Sequence, residues 1–376
     1  MAADPPYLKV MWQRDRELTS SVRSVQVEDS DRLVDKATIV LGDPHGSAPD
    51  FRAGQVIEVT MGWEDEHAVV FSGLVQDSPG SAPAGGAPST TIVAYDPSSL
   101  MNRQCRDAHH TGLLSAVVRR VVAGYPTIAT PPANVVCDPD PEFTGDPQLR
   151  QHGLSDLQFL QWLAWRYGHR AFVEYNDDRS QFYFVSNRRL LKGKALGALR
   201  YCRGFNELIE FSYQRVASRQ ARQRIAAAPD PASNEAPLTL GDLPAAIEQP
   251  AVSANRSATL GCVDPAERAR YEAGVTAATS TPPLPAMTAP VLGLPSDPRL
   301  AEAVTALDPT QVLGLRGTGR AVGTIKLRAK GKVAIEGVAT WAEGDWYVTK
   351  AVHQWRDTST SAQRGASYET AFTVTR

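Results

Sequence analysis

The sequence predicts an α+β chain that is mostly β, with a helix-containing region inserted between two strand-rich ends. Three observations lead to that class. Short β-type runs separated by turn residues fill residues 1–97. The stretch QHGLSDLQFLQWLAWRYGHRAFVEYNDDRSQFYFV, from Gln151 to Val185, reads as one helix followed by one hairpin. The last block, Val322 to Arg376, returns to strands.

In the first block the runs are Tyr7 to Trp12, Val22 to Val27, Ala37 to Leu41, Val56 to Gly62, Ala68 to Val75 and Thr91 to Tyr95. Alternation within Val22 to Val27 puts apolar groups on one face and polar groups on the other, as an antiparallel sheet with one wet face requires. Glu64-Asp65-Glu66 is a charged hairpin turn, and Ser78 to Ser89, rich in Gly, Pro and Ser, is expected to be an exposed tip without fixed structure.

The middle region, residues 98–198, is expected to open with a short helix at Ser98 to Asn102 and a longer one at Gly112 to Ala123. Six prolines make Tyr125 to Pro147 a mostly non-helical connection. Next, Ser155 and Gln158 form a capping box at a helix start. Leu157, Leu160, Ala164 and Tyr167, widened by Phe159 and Leu163, make a broad apolar stripe. Gly168 leaves the helix with positive φ. Arg170 to Tyr175 and Gln181 to Val185 are then the strands of a hairpin turning at residues 176–179.

Return strands are expected over residues 199–225, where Leu199 to Tyr213 should lead back to the first block. Residues 226–310 are rich in Ala and Pro and poor in aromatics, a composition that favours an extended arm, with helical pieces at Asp264 to Ala273 and Pro298 to Ala306. In the final block, residues 311–376, Gly317 to Gly323 reads as a flexible turn. Strands follow at Thr324 to Arg328, Lys332 to Val338, Trp346 to Trp355 and Tyr368 to Val374, with turns at Lys330-Gly331 and Gly344-Asp345.

A chain of 376 residues has room for two or more domains. A net charge of -2 with 21% charged residues provides no general basic field for nucleic acid. The start MAADPPYLKV is not a signal peptide, and no uninterrupted apolar run is long enough for a membrane span, so a soluble, cytoplasmically made protein is expected. Cys105, Cys137, Cys202 and Cys262 lack the spacing of a zinc site and read as reduced thiols.

Motifs for chemistry are scarce. There is no phosphate-binding loop, no H-E-x-x-H and no G-x-S-x-G elbow. His109-His110 after Asp107 offers ligand types without ligand spacing, and reads as a polar loop. Asp138, Asp140 and Glu142 set three acids close together, as a glycosidase pair or a calcium loop requires. Trp162, Trp165, Trp341, Trp346 and Trp355 are candidates for sugar stacking, although such aromatics are more often core. No cofactor or metal is implied.

Ser155 to Gly168 resembles the QSDLEFLxRLAExxGY stretch of the baseplate hub proteins of contractile phage tails, the late control or tail protein D family, to which the hub half of type VI secretion spikes is related. Gly331 to Val338 and Gly344 to His353 are similar to that family's G-x-v-x-i-x-G-V … G-x-Y-x-V-x-x-v-x-H pattern. Phe71 to Val75 with Ile92 to Asp96 resembles its f-x-G-x-V … v-x-g-y-D. The residues carrying the resemblance are Ser155, Asp156, Phe159, Leu160, Tyr167, Gly168, Gly337, Val338, Tyr347, Val348 and His353, all in structural roles.

The resemblance implies two tube-like antiparallel β-barrel domains, residues 1–97 and 311–376 with the return strands, around an inserted α/β domain. It implies assembly as a trimeric ring, a homotrimer that joins the hexameric tail tube protein to the trimeric central spike protein. Baseplate wedge proteins and the tape measure protein are the further expected partners. The implied location is the virion tail baseplate or an injection particle, assembled in the bacterial cytoplasm, and the implied activity is binding rather than catalysis. Two other readings remain at this point: a tail-associated cell-wall-degrading enzyme using Asp138, Asp140 and Glu142, and a carbohydrate-binding β protein using Trp341 and Trp346.

Overall fold

The computed structural model describes residues 5–43, 49–137, 140–144, 149–176, 178–201, 207–215, 315–359 and 365–376. The expected arm at 226–310, with its two helical pieces, lies outside the described residues, as do Asp138, Cys202 and Cys262.

The first block forms β1 (Tyr7–Trp12), β2 (Arg16–Glu17), β3 (Val22–Ser30), β4 (Lys36–Gly42), β5 (Val56–Gly62), β6 (His67–Asp77), β7 (Gly80–Ser81) and β8 (Ser89–Tyr95). All six strands read from the β-type runs are present. The 78–89 stretch differs from expectation, because Gly80 and Ser81 pair with Thr90 and Ser89 and extend the hairpin outward. The middle region contains β9 (Cys105–His109), β10 (Gly112–Leu113), α1 (Leu114–Val122), β11 (Val135–Val136), β12 (Glu142–Phe143), β13 (Arg150–Ser155) and α2 (Asp156–Arg166). Then come β14 (His169–Asn176), β15 (Arg179–Ser186), α3 (Asn187–Lys192) and β16 (Ala195–Arg200). The expected helix at Ser98 to Asn102 is a 3-10 turn spanning Pro97–Asn102, capped by the Asp96 carboxylate on the Ser98 N–H. The remaining strands are β17 (Leu208–Arg215), β18 (Leu315–Val322), β19 (Lys332–Glu336), β20 (Gly344–Asp357) and β21 (Ala366–Thr375).

Both ends of the chain enter one 14-stranded sheet whose main path is β17-β18-β21-β20-β3-β4-β8-β6-β5-β1-β2. The path does not close on itself. The seam is β20 against β3, antiparallel from Lys350↔Ser30 to Arg356↔Ser24. Within the return stretch β17 pairs with β18, and β16 pairs in parallel with β19. One expectation is corrected here. Gly317 to Gly323 is not a turn, because residues 315–322 are strand β18, and it is Thr324 to Arg328 that is irregular. The physical reason is aromatic packing. A Cβ at Gly317 would lie 2.5 Å from the Phe211 ring and one at Gly319 would lie 2.6 Å from Phe372, so these glycines admit rings across the sheet rather than bend the chain.

Three cores follow from the elements. Val10, Val25, Val27, Ile39, Ile57, Val59, Met61 and Ile92 pack inside the first block and are joined by Trp355 and Tyr368 from across the seam. Leu208, Val333, Ile335, Trp346, Val348 and Phe372 form the core under the last strands. In the middle region α1, α2 and the β14–β15 hairpin enclose Val117, Leu157, Phe159, Leu160, Leu163, Phe182 and Phe184. Each such side chain taken out of water stabilises the fold by about 1.5–3 kcal/mol.

Candidate functional site

The most concentrated chemistry lies where the two halves of the sheet and the inserted region meet. Alternation along β3 sends Glu28 to the wet face and Asp29 inward. The turn after β3 adds Asp31 and Asp35. From the insert, β14 sends Ala171 and Val173 towards the middle core, and the alternate residues Arg170, Phe172 and Glu174 meet the junction groups. From the last block come Arg328 and Lys330, the latter on a turn with φ of 66°.

Lys330 is the hub of this cluster. Its Nζ stands 2.6 Å from Glu174 Oε1, 2.8 Å from Asp29 Oδ1 and 3.2 Å from Asp35 Oδ2. It also lies 5.1 Å from the centre of the Phe172 ring. Arg328 reaches Glu174 at 3.5 Å and Asp29 at 3.9 Å, and donates to the Val69 carbonyl. Asp29 also accepts the Ala329 N–H at 2.9 Å. Asp35 accepts the Ser30 N–H, while its own N–H donates to the buried Asp96 carboxylate at 2.7 Å. Beside this node Arg170 Nε stands 3.4 Å from Asp31 Oδ2.

The electrostatics follow from burial and sharing. Burial alone would lower the Lys330 ammonium, yet Asp29, Asp35 and Glu174 together hold it well above the usual lysine value. Burial pushes Asp29 up, and the two cations beside it outweigh that push and bring it below the ordinary carboxylate range. Asp35 goes the other way, because burial and the neighbouring acids outweigh Lys330 and raise it well above that range. Asp96 is likewise raised by burial, against the N–H groups it accepts. Asp29, Asp35 and Glu174 each present one oxygen within 4.8 Å of the others, the spacing that holds a cation, and the Lys330 ammonium is the cation they surround. The cage is an ion-pair node.

His353 on β20 lies beside the cluster, fully buried, with Nδ1 2.9 Å from the Tyr368 hydroxyl and 3.2 Å from Thr370 Oγ1. Burial, then the Arg328 charge, lowers it to about 4, so it is neutral at ordinary pH. The other motif residues of the last block are packing devices. Val348 is core, Val338 packs beside that core and Tyr347 packs on Leu191. Gly337 has φ of 79° and faces the Tyr201 carbonyl at a place where a Cβ would come within 2.0 Å.

In the insert, Ser155 and Gln158 form the capping box read from the sequence, and the Ser155 hydroxyl also donates to Asn102 Oδ1 at 2.7 Å. Asp156 is buried and accepts from Tyr125 and Gln151 at 2.7 and 2.9 Å while pairing with Arg106 at 2.7 Å. Burial and that carboxylate push the Tyr125 phenol up to about 12. Phe159, Leu160 and Tyr167 are core, and Gly168 leaves α2 with φ of 67°. The eleven motif residues therefore do not converge on one site; six organise the insert and five the last strands.

The other candidates are dispersed. Asp140 caps α1, accepting the Ser115 N–H at 2.8 Å and its hydroxyl at 2.5 Å, and Glu142 is exposed on β12. Asp107 pairs with His152 at 2.6 Å and His110 stacks on Phe159. Trp346 is fully buried, Trp355 is core, and Trp341 meets Tyr213 edge to face and lies under the Arg215 guanidinium. The junction itself went unread in the sequence, where Lys330 was only a turn residue. Its one local signal is the unusual acid density of residues 28–35, EDSDRLVD.

No family model matches the chain, and no curated protein matches its sequence. Solved structures do match. A 43 kDa tail protein of prophage MuSo2 from Shewanella oneidensis aligns over 99% of this chain and 98% of its own, with 11% identity and a TM-score of 0.57. A tail protein from Neisseria meningitidis MC58 aligns over 99% and 96%, with 10% identity and a TM-score of 0.53. The E. coli c3393 protein, described as a component of the type VI secretion system similar to the T4 bacteriophage tail proteins gp27 and gp5, aligns over 98% and 76%, with 10% identity and a TM-score of 0.54. The chain thus has the fold of solved phage tail proteins, the group that its sequence motifs resemble.

Proposed function

We propose that this chain is a structural baseplate hub of a contractile tail, a homotrimeric ring that adapts the hexameric tail tube to the trimeric central spike. In this reading residues 1–97 and 311–376, with the return strands, are two tube-like domains, residues 98–198 are the insert, and baseplate wedge proteins are further partners. The tape measure protein is a further partner. The protein is assembled in the bacterial cytoplasm and resides in the tail baseplate or an injection particle.

The observation that carries the reading is the run β17-β18-β21-β20-β3-β4-β8, edged by β6 and β7, in which every neighbour is antiparallel. Counting the β6–β7 edge as one strand, the run has eight strands, an even number. A second copy laid head to tail by rotation therefore brings its β17 antiparallel to that edge, and the sheet continues. The β17 edge is open for it; at the other edge β5 pairs with β6 along His67–Leu74, so the contact falls on the end of β6 and on β7. Leu315 and Arg376 exchange both backbone hydrogen bonds, at 2.9 and 3.0 Å, and alternation then turns the N–H groups of Phe211 and Tyr213 away from β18. Among the described residues nothing pairs with that side of β17. Open strand edges of this length invite a partner strand.

Purified protein should run as three chains by light scattering and image as a ring of six similar lobes. Clearing of bacterial cell walls in a zymogram, lost on Asp140→Ala, would instead identify a wall-degrading enzyme.

A further inference from the structure

The charge count at the junction does not balance. Around Lys330 the inner node contains four carboxylates, Asp29, Asp35, Asp96 and Glu174, and two cations, Lys330 and Arg328. Asp31 stands outside this count, since Arg170 at 3.4 Å and Arg32 at 3.7 Å answer it. Glu28 interacts with Lys350 and Lys36 on the wet face, His353 is uncharged, and burial raises the neighbouring Tyr368 phenol so that it keeps its proton. The fully ionised node would carry two more negative than positive charges in a largely dry place, offset only in part by the half-exposed Arg32 that shares Asp31 with Arg170, an arrangement that proteins avoid by keeping protons.

The four acids are not equally free to relieve that excess. Asp29, Asp35 and Asp96 belong to the first block and are fixed by backbone donors, from Ala329, Ser30, and Asp35 with Ser98 respectively. Glu174 belongs to the insert, and its carboxylate is held by the side chains of Lys330 and Arg328 rather than by a backbone donor among the described residues. Repulsion that builds up in the node therefore acts on the one carboxylate whose departure carries the hairpin with it.

We propose that the junction is a proton-linked clamp: the β14–β15 hairpin is held against the β3–β20 seam while the inner node retains bound protons, and loosens from the seam as those protons leave. Asp35 and Asp96 are the proton carriers. Because both are raised on folding, the stability they contribute is present at low pH and lost as pH rises through their folded values. Asp29 has the opposite sign, so strong acid removes its contribution. The clamp is tightest between those limits, and the insert is released on the alkaline side.

Amide hydrogen exchange of the full chain, corrected for intrinsic chemical rates, tests this at about pH 6 and about pH 9. Protection of β14 should fall at least about tenfold at the higher pH while the β3–β20 seam keeps its own. Asp35→Asn, which cannot ionise, should abolish most of the fall, and Glu174→Gln should leave β14 weakly protected at both values. Asp96→Asn serves the same purpose if Asp35→Asn does not fold, and the wild-type profile is decisive without either. Flat β14 protection, loss in step with the seam, or an unchanged fall in Asp35→Asn would overturn the proposal. None of these outcomes bears on the number of chains in the ring, so the clamp and the hub reading fail separately.

Discussion

Glu28 and Asp29 are adjacent in the chain, and each meets a lysine at 2.8 Å, yet they stand in opposite environments. Glu28 pairs with Lys350 across the seam on the wet face, where the two side chains are 30% and 44% exposed. Asp29 pairs with Lys330 inside, where they are 6% and 4% exposed. Distance is equal and solvent is not. On the wet face, water and salt screen the pair, and either partner can be removed at little cost. Inside, removing one partner strands the other without water, so the pair acts as a fixed joint between regions.

The largest consequence is expected for Lys330→Met. It leaves Asp29, Asp35 and Glu174 around an apolar chain and should destabilise the protein by about 3–5 kcal/mol, read as a lowered denaturation midpoint in urea. A loss below about 1 kcal/mol would break the comparison, since Lys330 would then behave like a surface lysine.

The acid limb sharpens it further. His353 is lowered on folding, so the unfolded chain binds its proton first, and stability falls as pH drops from about 6.5 through about 4. The loss should reach about 3 kcal/mol. His353→Gln should flatten that limb, and an acid limb of unchanged slope would remove His353 from the account.

An intermediate effect comes from a site that touches neither pair. Ser155→Ala loses the α2 cap and its bond to Asn102, at a cost of about 1–2 kcal/mol. Lys350→Met is the smallest change, below about 1 kcal/mol and vanishing in high salt. An effect of Lys350→Met as large as that of Lys330→Met would show that burial does not separate the two pairs.

Local signals were legible in the sequence and long-range ones were not. The capping box at Ser155, the left-handed Gly168 and the 176–179 turn depend on a few neighbouring residues, and each stands where alternation and capping put it. Gly317 and Gly319 misled because their reason, the rings of Phe211 and Phe372, comes from other strands of the sheet. The extra pairing at Gly80-Ser81 was hidden by composition that favours loops. Most hidden was the Lys330 node, whose members at 29, 35, 96, 174, 328 and 330 meet only after three regions dock. No periodicity connects such residues.

The measurement that bears most directly on the head-to-tail sheet is cross-linking between β17 and the end of β6. In a background with all four native cysteines changed to serine, Ser212→Cys on β17 is combined with Asp77→Cys at the end of β6, and a short bismaleimide is added. The head-to-tail ring predicts covalent species up to three chains from the double variant and little from either single one. Efficient cross-linking of Ser212→Cys to itself would show β17 meeting its own copy across a two-fold axis, and would contradict the ring.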